Sequence, residues 1–216
     1  GPAGLACAYY LALLGHECTV YDPNSEPGGM LRYALPEYRL PNSVLDKEIE
    51  LIRRLGVKFV GNTRVGADLS LDELESRHDV VFLAIGTWRE SSVRMTGADL
   101  GGVMSSLHFL EAVSKTQETR LGRAVVIVGG GNSAIDSART ALRLGSKVTI
   151  VYRRERKDMP AIREETEAAE AEGARIVFLV APHRIIGNKE GKVQAIEVIK
   201  TRLGEFDKSG RRRPIP

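Results

Sequence analysis

Residues 124–152 read AVVIVGGGNSAIDSARTALRLGSKVTIVY, and this stretch decides the fold. The apolar run Ala124–Val128 predicts a buried strand, three glycines follow it, and an alanine-rich segment up to Leu144 predicts a helix. Gly145 ends that helix, and Lys147–Tyr152 predicts a second strand. Strand, glycine turn, helix and strand make a βαβ unit, which is the building block of a doubly wound sheet.

The start of the chain repeats this pattern without its first strand. Residues 1–22 read GPAGLACAYYLALLGHECTVYD, which is a glycine turn, an apolar helix and a β-branched strand that ends at Asp22. The two copies align, because the same number of positions separates Gly4 from Asp22 and Ala134 from Tyr152. We therefore predict an α/β fold with two doubly wound Rossmann-like dinucleotide-binding modules, of which the first is incomplete.

The boundary between the modules is predicted in the polar stretch 116–122. It gives a first module over residues 1–118 and a second over residues 119–216. Within the first module, residues 79–85 (DVVFLAI) predict a buried parallel strand, and apolar residues at helical spacing predict a helix over residues 42–55. In the second module we predict a strand over residues 175–180 and a hairpin made by residues 184–186 and 193–200, and the tail 208–216 has no periodicity. A glycine fingerprint needs a strand before its first glycine, so we expect this chain to be a segment of a longer polypeptide, cut within its first fingerprint.

Composition excludes several classes of protein. The chain has 216 residues, 43% of them hydrophobic and 27% charged, which is typical of a globular protein. No apolar run approaches the roughly 20 residues of a membrane span. The net charge of +3 and the single Trp do not indicate nucleic-acid binding, and Cys7 and Cys18 have no metal-ligand or CxxC spacing. We expect a cytoplasmic protein that binds neither membrane, nucleic acid nor metal within this segment.

Glycine turns of this kind predict a site for a pyrophosphate group. One glycine makes the tight bend, a second lets the backbone approach the anion, and a third lets helix and strand pack closely. The helix start then presents unpaired N–H groups and the positive end of its dipole. A single such turn also occurs for purely structural reasons, but two turns with a strand at the expected offset favour two nucleotide sites.

The residues after each second strand distinguish the two nucleotides. Asp22 ends the strand of the first copy, where a carboxylate accepts a hydrogen bond from a ribose hydroxyl, so a diol-bearing adenosine fits there. In the second copy Tyr152 holds this position and the basic run 153–157 follows. A guanidinium matches a phosphate and cannot accept from a diol, so the sequence favours NADP over NAD. The alternative is that the run is a solvated loop, and Glu155 and Asp158 partly offset its charge.

The chain resembles the FAD- and NADPH-binding part of the glutamate synthase small subunit family, which is related to the flavin half of dihydropyrimidine dehydrogenase. Five stretches carry the resemblance: residues 1–22, then EPGGMLRYALPEYRLP (26–41), FLAIGT (82–87), VIVGGGNSAIDSAR (126–139) and VTIVYRRERKDMPA (148–161). The stretch 26–41 discriminates best, because generic flavin reductases share the glycine turns but not this loop.

The resemblance implies a role for particular residues. The residues that it places at FAD are Gly1, Gly4, Asp22, Met30, Arg39, Val65, Ala84 and Gly86. Those that it places at NADP(H) are Gly129, Gly131, Asn132 and Ser133 at the pyrophosphate, and Arg153 and Arg154 at the 2′-phosphate. No side chain is implied as a catalytic base, because the hydride passes between the cofactors.

The implied activity is that of an NAD(P)H-dependent FAD oxidoreductase. Hydride passes from NADPH to FAD, and electrons then pass to iron–sulfur clusters or to a partner oxidoreductase domain or subunit. Family members hold their [4Fe-4S] clusters in a cysteine-rich domain, which lies outside this segment. Because the first strand and the segment that in relatives follows the second module are absent, we expect the fragment to hold little or no FAD, although the full-length protein would hold it.

Two alternatives stay open at this point. A thioredoxin-reductase-like flavoprotein would pass electrons to a redox disulfide, but residues 124–216 contain no cysteine, which disfavours it. A non-catalytic nucleotide-binding module would use the same fold to sense or scaffold, without hydride transfer. Separate affinities for NADPH and FAD would discriminate among these readings.

Overall fold

The computed structural model of this chain describes residues 1–89, 95–116, 119–207 and 210–216. It divides into two compact units, Gly1–Trp88 (unit 1) and Arg89–Pro216 (unit 2). Across these ranges no helix combines the length and the apolar character needed to cross a membrane.

The elements alternate between helix and strand along most of the chain. Unit 1 contains α1 (Pro2–Leu13), β1 (Thr19–Tyr21), α2 (Met30–Tyr33), α3 (Asn42–Arg54), β2 (Lys58–Val60) and α4 (Leu71–Arg77). Unit 2 contains α5 (Ser106–Thr116), β3 (Ala124–Val128), α6 (Asn132–Arg143), β4 (Lys147–Tyr152), a 3-10 turn (Arg156–Asp158), α7 (Arg163–Ala171), β5 (Arg175–Phe178), β6 (Val180–Gly187), β7 (Val193–Lys200), β8 (Arg202–Phe206) and β9 (Arg212–Ile215).

The core of unit 1 lies between helices α1 and α3 and a parallel strand pair. Strands β1 and β2 run parallel, with Thr19 opposite Lys58. Helix α3 turns one apolar face inward, because Leu45, Ile49 and Ile52 recur at helical spacing and all three are buried. They pack with Leu5 and Ala8 of α1.

The prediction of a buried strand at residues 79–85 is wrong. This segment forms no strand in the structure, and Val80 and Ile85 are 81% and 76% exposed. A strand needs a neighbour that accepts its ladder hydrogen bonds, and no strand in the described ranges pairs with this segment. The apolar composition of this segment therefore predicted burial that the side chains do not have.

Unit 2 is built around a three-stranded parallel sheet in the order β3-β4-β5. Ala124 pairs with Lys147, and Thr149 pairs with Arg175. Ile135 of α6 and Ile150 of β4 have no exposed surface and form the centre of the core. Both predicted strands of this βαβ unit are confirmed with their predicted bounds.

Helix α5 also belongs to unit 2, because its Phe109 and Leu110 are buried in the same core. The compact units therefore divide earlier in the chain than the boundary predicted between residues 118 and 119. Of that predicted boundary stretch, residues 117–118 lie outside the described residues. The assignment of FAD to the first predicted module and of NADP(H) to the second stays a prediction.

Two antiparallel hairpins complete unit 2. The predicted hairpin is confirmed as β6 and β7, with Val180 opposite Lys200. The strand predicted at residues 175–180 is instead split between β5 and β6, because Leu179 has a φ of 57° and breaks the extended backbone. The tail, predicted without regular structure, contains β9, which pairs with β8. Lys208 and Ser209 of that tail lie outside the described residues.

Candidate nucleotide-binding sites

The glycine turn of unit 1 brings two loops into backbone contact. Gly1 precedes α1, and its carbonyl accepts the N–H of Leu5 at 3.0 Å. Gly29 has a φ of 55°, and a Cβ on it would lie 2.5 Å from the Cα of Gly1. Only glycine permits this approach. Gly29 was missed by the sequence analysis, although it lies in the discriminating stretch 26–41.

The first turn of α1 also packs against the segment that follows α4. A Cβ on Gly4 would lie 3.2 Å from the Cβ of Ala84, so these two predicted residues are neighbours. Gly86 follows closely, with a φ of 67° that suits glycine. The structure thus brings Gly1, Gly4 and Ala84 to the start of α1, where unpaired helix N–H groups favour an anion.

Asp22 is held at the end of β1. Its N–H donates to the carbonyl of Val60 at 3.0 Å, and its carbonyl accepts the N–H of Thr63 at 2.9 Å. The carboxylate Oδ1 accepts from both the N–H of Asn24 at 2.9 Å and the Asn24 side-chain amide at 3.2 Å. Asn24 therefore orients the carboxylate, and Oδ2 has no donor among the described residues. The signal that could have found Asn24 is its place two residues after Asp22 in a turn.

The three remaining predicted FAD residues lie in other local structures. Met30 begins the four-residue helix α2, directly after Gly29. Arg39 is half-buried, and its N–H donates to the carbonyl of Pro36. Val65 forms a bridge with Leu69. Their roles at FAD stay predictions.

The glycine turn of unit 2 connects β3 to α6. Gly129 has a φ of 130°, and its N–H donates to the carbonyl of Val151 on β4 at 3.1 Å. Gly131 precedes α6 and provides no side chain to cap it, so the first N–H groups of this helix, at Asn132 and Ser133, face outward without a side-chain cap. Asn132 and Ser133 are both exposed. This end of α6 has the features of an anion site.

Gly130 and Tyr152 are site residues that the sequence analysis missed. A Cβ on Gly130 would lie 2.7 Å from the ring of Tyr152, so the ring occupies the space that a side chain would need. The Tyr152 hydroxyl donates to the carbonyl of Asp158 at 2.6 Å. Tyr152 thereby links the glycine turn to the basic run. The signal available in the sequence was the glycine at position 130, between the two fingerprint glycines, where the fingerprint permits any residue.

The segment after the basic run folds back over the same turn. The N–H of Ala161 donates to the carbonyl of Gly130 at 3.1 Å. The N–H of Ile162 donates to the Asn132 side-chain oxygen at 2.9 Å. The Asn132 oxygen is therefore used within the protein, and its amide NH₂ is the group that can donate to a ligand.

Three of the four cations in the basic run have acidic partners. Arg156 pairs with Glu170 and stacks over the ring of Phe178 at 5.4 Å. Lys157 pairs with Glu155 at 2.7 Å, and this hydrogen bond raises the pKa of Lys157. The third, Arg154, is turned into the protein.

The two arginines of the predicted phosphate pair differ in exposure, because Arg154 is buried and Arg153 is not. Arg154 is only 4% exposed, and its Nη2 lies 2.6 Å from Oδ2 of Asp207. Its Nε donates to the carbonyl of Arg212 at 2.7 Å. Arg153 is exposed, and within the described ranges its guanidinium has no acidic partner. The arginine that is open to a phosphate is therefore Arg153 alone in this run.

Comparisons with known proteins find similar chains among oxidoreductases. A family model for pyridine nucleotide-disulphide oxidoreductases matches residues 1–207. NADPH-Fe(3+) oxidoreductase subunit beta of Geobacter sulfurreducens is 44% identical over 100% of this chain and 33% of its own length. The glutamate synthase (NADPH) small chain of Escherichia coli is 40% identical over 99% of this chain and 48% of its own length. The chain thus spans about a third to a half of the length of these relatives.

A solved structure has the same fold. FprA from Mycobacterium tuberculosis, in complex with NADPH, superposes with a TM-score of 0.81 at 20% identity, over 98% of this chain and 64% of that chain. At this identity the likeness shows the fold alone, and it confirms the predicted α/β fold of Rossmann type.

The relatives confirm the predicted resemblance to the glutamate synthase small subunit and the predicted class of enzyme, an oxidoreductase. The family model and the NADPH-dependent relatives also support FAD and NADP(H) as the cofactors. Because the family model covers nearly the whole chain and includes both glycine turns, the chain belongs to the pyridine nucleotide-disulphide oxidoreductase family.

Proposed function

We propose that the protein carrying this chain is a flavoprotein oxidoreductase that takes hydride from NADPH onto FAD and passes the electrons to iron–sulfur clusters or a partner subunit. One observation carries the proposal. The chain has two glycine turns, each at the start of a helix and beside parallel strands. The strand next to the first turn is followed by the carboxylate of Asp22, and the strand next to the second is followed by the exposed Arg153. These are the complements of a ribose diol and of a 2′-phosphate.

The residues of unit 1 fit FAD. The close approach of Gly29 to Gly1 leaves backbone without side chains beside the start of α1, which suits a pyrophosphate. Asp22, oriented by Asn24, would accept a ribose hydroxyl through Oδ2. FAD, when bound, supplies the hydride acceptance and one-electron release that no side chain provides.

The residues of unit 2 fit NADPH. The N–H groups at the start of α6 and the Asn132 amide would hold the pyrophosphate, because they are donors without a capping side chain. The Arg153 guanidinium would receive the 2′-phosphate. A charge-assisted contact of this kind contributes about 1.5–3 kcal/mol, which is roughly tenfold to a hundredfold in affinity. NADH lacks the 2′-phosphate, so it gains nothing from Arg153.

The electron acceptor lies outside the described residues in this proposal. The relatives include NADPH-Fe(3+) oxidoreductase subunit beta and the NADP(+)-dependent formate dehydrogenase subunit beta of Moorella thermoacetica, and both names denote one subunit of an assembly. The chain spans about a third of each. We infer that the rest of the protein or a partner subunit takes the electrons.

The first test is nucleotide selectivity in the intact protein. Titration calorimetry with NADPH and NADH should give a preference for NADPH of about tenfold or more. Arg153→Ala should lower NADPH affinity and leave NADH affinity unchanged. Arg175→Ala is the matched control, since Arg175 is an exposed arginine of the same unit at the amino end of β5. Equal affinities for the two nucleotides in the parent protein would overturn the proposed NADPH site.

The second test separates an enzyme from a non-catalytic nucleotide-binding module. FAD-loaded intact protein is mixed with NADPH without oxygen, and the flavin absorbance is followed. Bleaching of about one flavin per chain supports hydride transfer. Binding of both nucleotides with no bleaching would favour the non-catalytic module.

A further inference from the structure

A buried ion pair joins the end of β4 to the β8–β9 hairpin. The pair is Arg154 and Asp207, at 2.6 Å, and the Arg154 Nε also donates to the carbonyl of Arg212 on β9. We propose that this pair is a positioning device, which holds the end of β4 so that Arg153 receives the 2′-phosphate. The β8–β9 hairpin then becomes a determinant of NADPH selectivity. This inference rests on the proposed NADPH site.

The backbone of the two arginines is fixed as well. The carbonyl of Arg153 accepts the hydroxyl of the buried Thr201 at 2.9 Å. The carbonyl of Arg154 accepts the N–H of Leu179 at 3.3 Å, and the carbonyl of Leu179 accepts the N–H of Thr201 at 2.8 Å. Because both carbonyls and the Arg154 side chain are held, the position from which the Arg153 side chain extends is set by four residues, which are Leu179, Thr201, Asp207 and Arg212.

The hairpin presents Asp207 in one orientation. Its N–H donates to the carbonyl of Arg211 at 2.7 Å, and its Oδ1 accepts the N–H of Arg211 at 3.2 Å. The Arg212 guanidinium donates to the carbonyls of Gly204 and Leu203 across the hairpin. Both carboxylate oxygens of Asp207 are thus engaged, and Oδ2 is directed to Arg154.

The physical reason for a positioning role is the contrast between two adjacent side chains in the bend that follows β4. Arg154 is buried in its ion pair and Arg153 is exposed, so holding Arg154 inside keeps its neighbour Arg153 at the surface. Burying an ion pair contributes little net stability, because desolvation of the charges offsets their attraction. A pre-organised arginine loses less conformational freedom when it binds a phosphate. We therefore expect the ion pair to affect selectivity for NADPH more than it affects the free energy of unfolding.

The experiment measures dissociation constants for NADPH and NADH in the intact protein. Asp207→Asn keeps the shape of the side chain and removes its charge, and Thr201→Val removes only the hydroxyl. Each should lower the preference for NADPH by about threefold to tenfold, as expected for coupled members of one network, with NADH affinity unchanged. Thr201→Ser should retain the preference. Glu197→Gln is the matched control, because it breaks an exposed ion pair with Arg184 in the β6–β7 hairpin.

Three results would overturn the inference. An unchanged preference for NADPH in folded Asp207→Asn and Thr201→Val proteins would show that the Arg154–Asp207 pair and the Thr201 hydroxyl have no effect on selectivity. Equal weakening of both nucleotides would show a merely structural role. A raised preference in Asp207→Asn would show that the freed Arg154 binds the phosphate itself. A parent protein with no preference would instead refute the proposed NADPH site, and this inference with it. If Asp207→Asn does not fold, Thr201→Val decides.

Discussion

Strand β3 of unit 2 spans five residues and pairs along its whole length with β4, whereas β1 and β2 of unit 1 pair over three residues each. In unit 2, Ile150 at the centre of the sheet has no exposed surface. In unit 1, the apolar segment 79–85 has no partner strand among the described residues and is largely exposed. The comparison teaches that a glycine turn forms from local sequence, while the burial of the strands around it depends on which neighbours are present.

The largest expected effect contrasts two isoleucines. Ile150→Ala should lower the free energy of unfolding by about 3–4 kcal/mol, because it leaves a cavity in a closed core. Ile85→Ala should change it by less than about 0.5 kcal/mol, because Ile85 is exposed in this chain. Urea unfolding of the 216-residue chain measures both. A large loss of unfolding free energy in Ile85→Ala would mean that Ile85 is buried in solution, as Ile150 is.

A smaller effect compares the two close glycines. Gly130→Ala should cost about 1–3 kcal/mol by overpacking against the Tyr152 ring, and Tyr152→Leu in the same chain should recover part of that loss. Gly29→Ala meets the backbone of Gly1 and a positive φ, so no side-chain replacement can relieve it. A double-mutant cycle by urea unfolding measures the coupling. Additive losses at Gly130 and Tyr152 would contradict the contact.

The smallest expected effect concerns ion pairs and pH. In unit 2, burial raises the pKa of Glu172, but the hydrogen bonds and charges of Arg139 and Arg143 outweigh it and hold the pKa below its ordinary value of 4.5. Ionised Glu172 therefore stabilises the folded state above the unfolded pKa, and this contribution is lost as the pH falls through the folded pKa. Glu172→Gln should remove that dependence, at a cost below about 1 kcal/mol at pH 7.

The control for Glu172 lies in unit 1. Glu50→Gln breaks an exposed pair with Arg54 on one face of α3, which is expected to contribute about 0.3–0.5 kcal/mol. The free energy of unfolding is measured for each variant from pH 7 down to pH 3. Identical pH profiles for the parent and the Glu172→Gln protein would show that the ion pairs of Glu172 with Arg139 and Arg143 do not contribute to the pH dependence of stability.

Local patterns were sufficient for much of the fold. Strands Ala124–Val128 and Lys147–Tyr152 were predicted with their bounds, because each is a β-branched run that begins or ends near glycine. Helix α3 was also predicted, but one residue longer than it is. Residues 79–85 are also mainly apolar, but a strand forms only beside a partner strand, and composition does not show whether one is present.

The sequence by itself determined the two glycine turns, the carboxylate that ends β1 and the basic run that follows β4, since each depends on neighbours a few positions away. Only the tertiary structure decided which arginine of that run faces solvent. Arg154 is buried because Asp207, 53 positions further along the chain, meets it, and no periodicity connects residues so far apart. Tyr152 likewise acquires its role from the contact of its ring with Gly130, which forms only when the chain has folded.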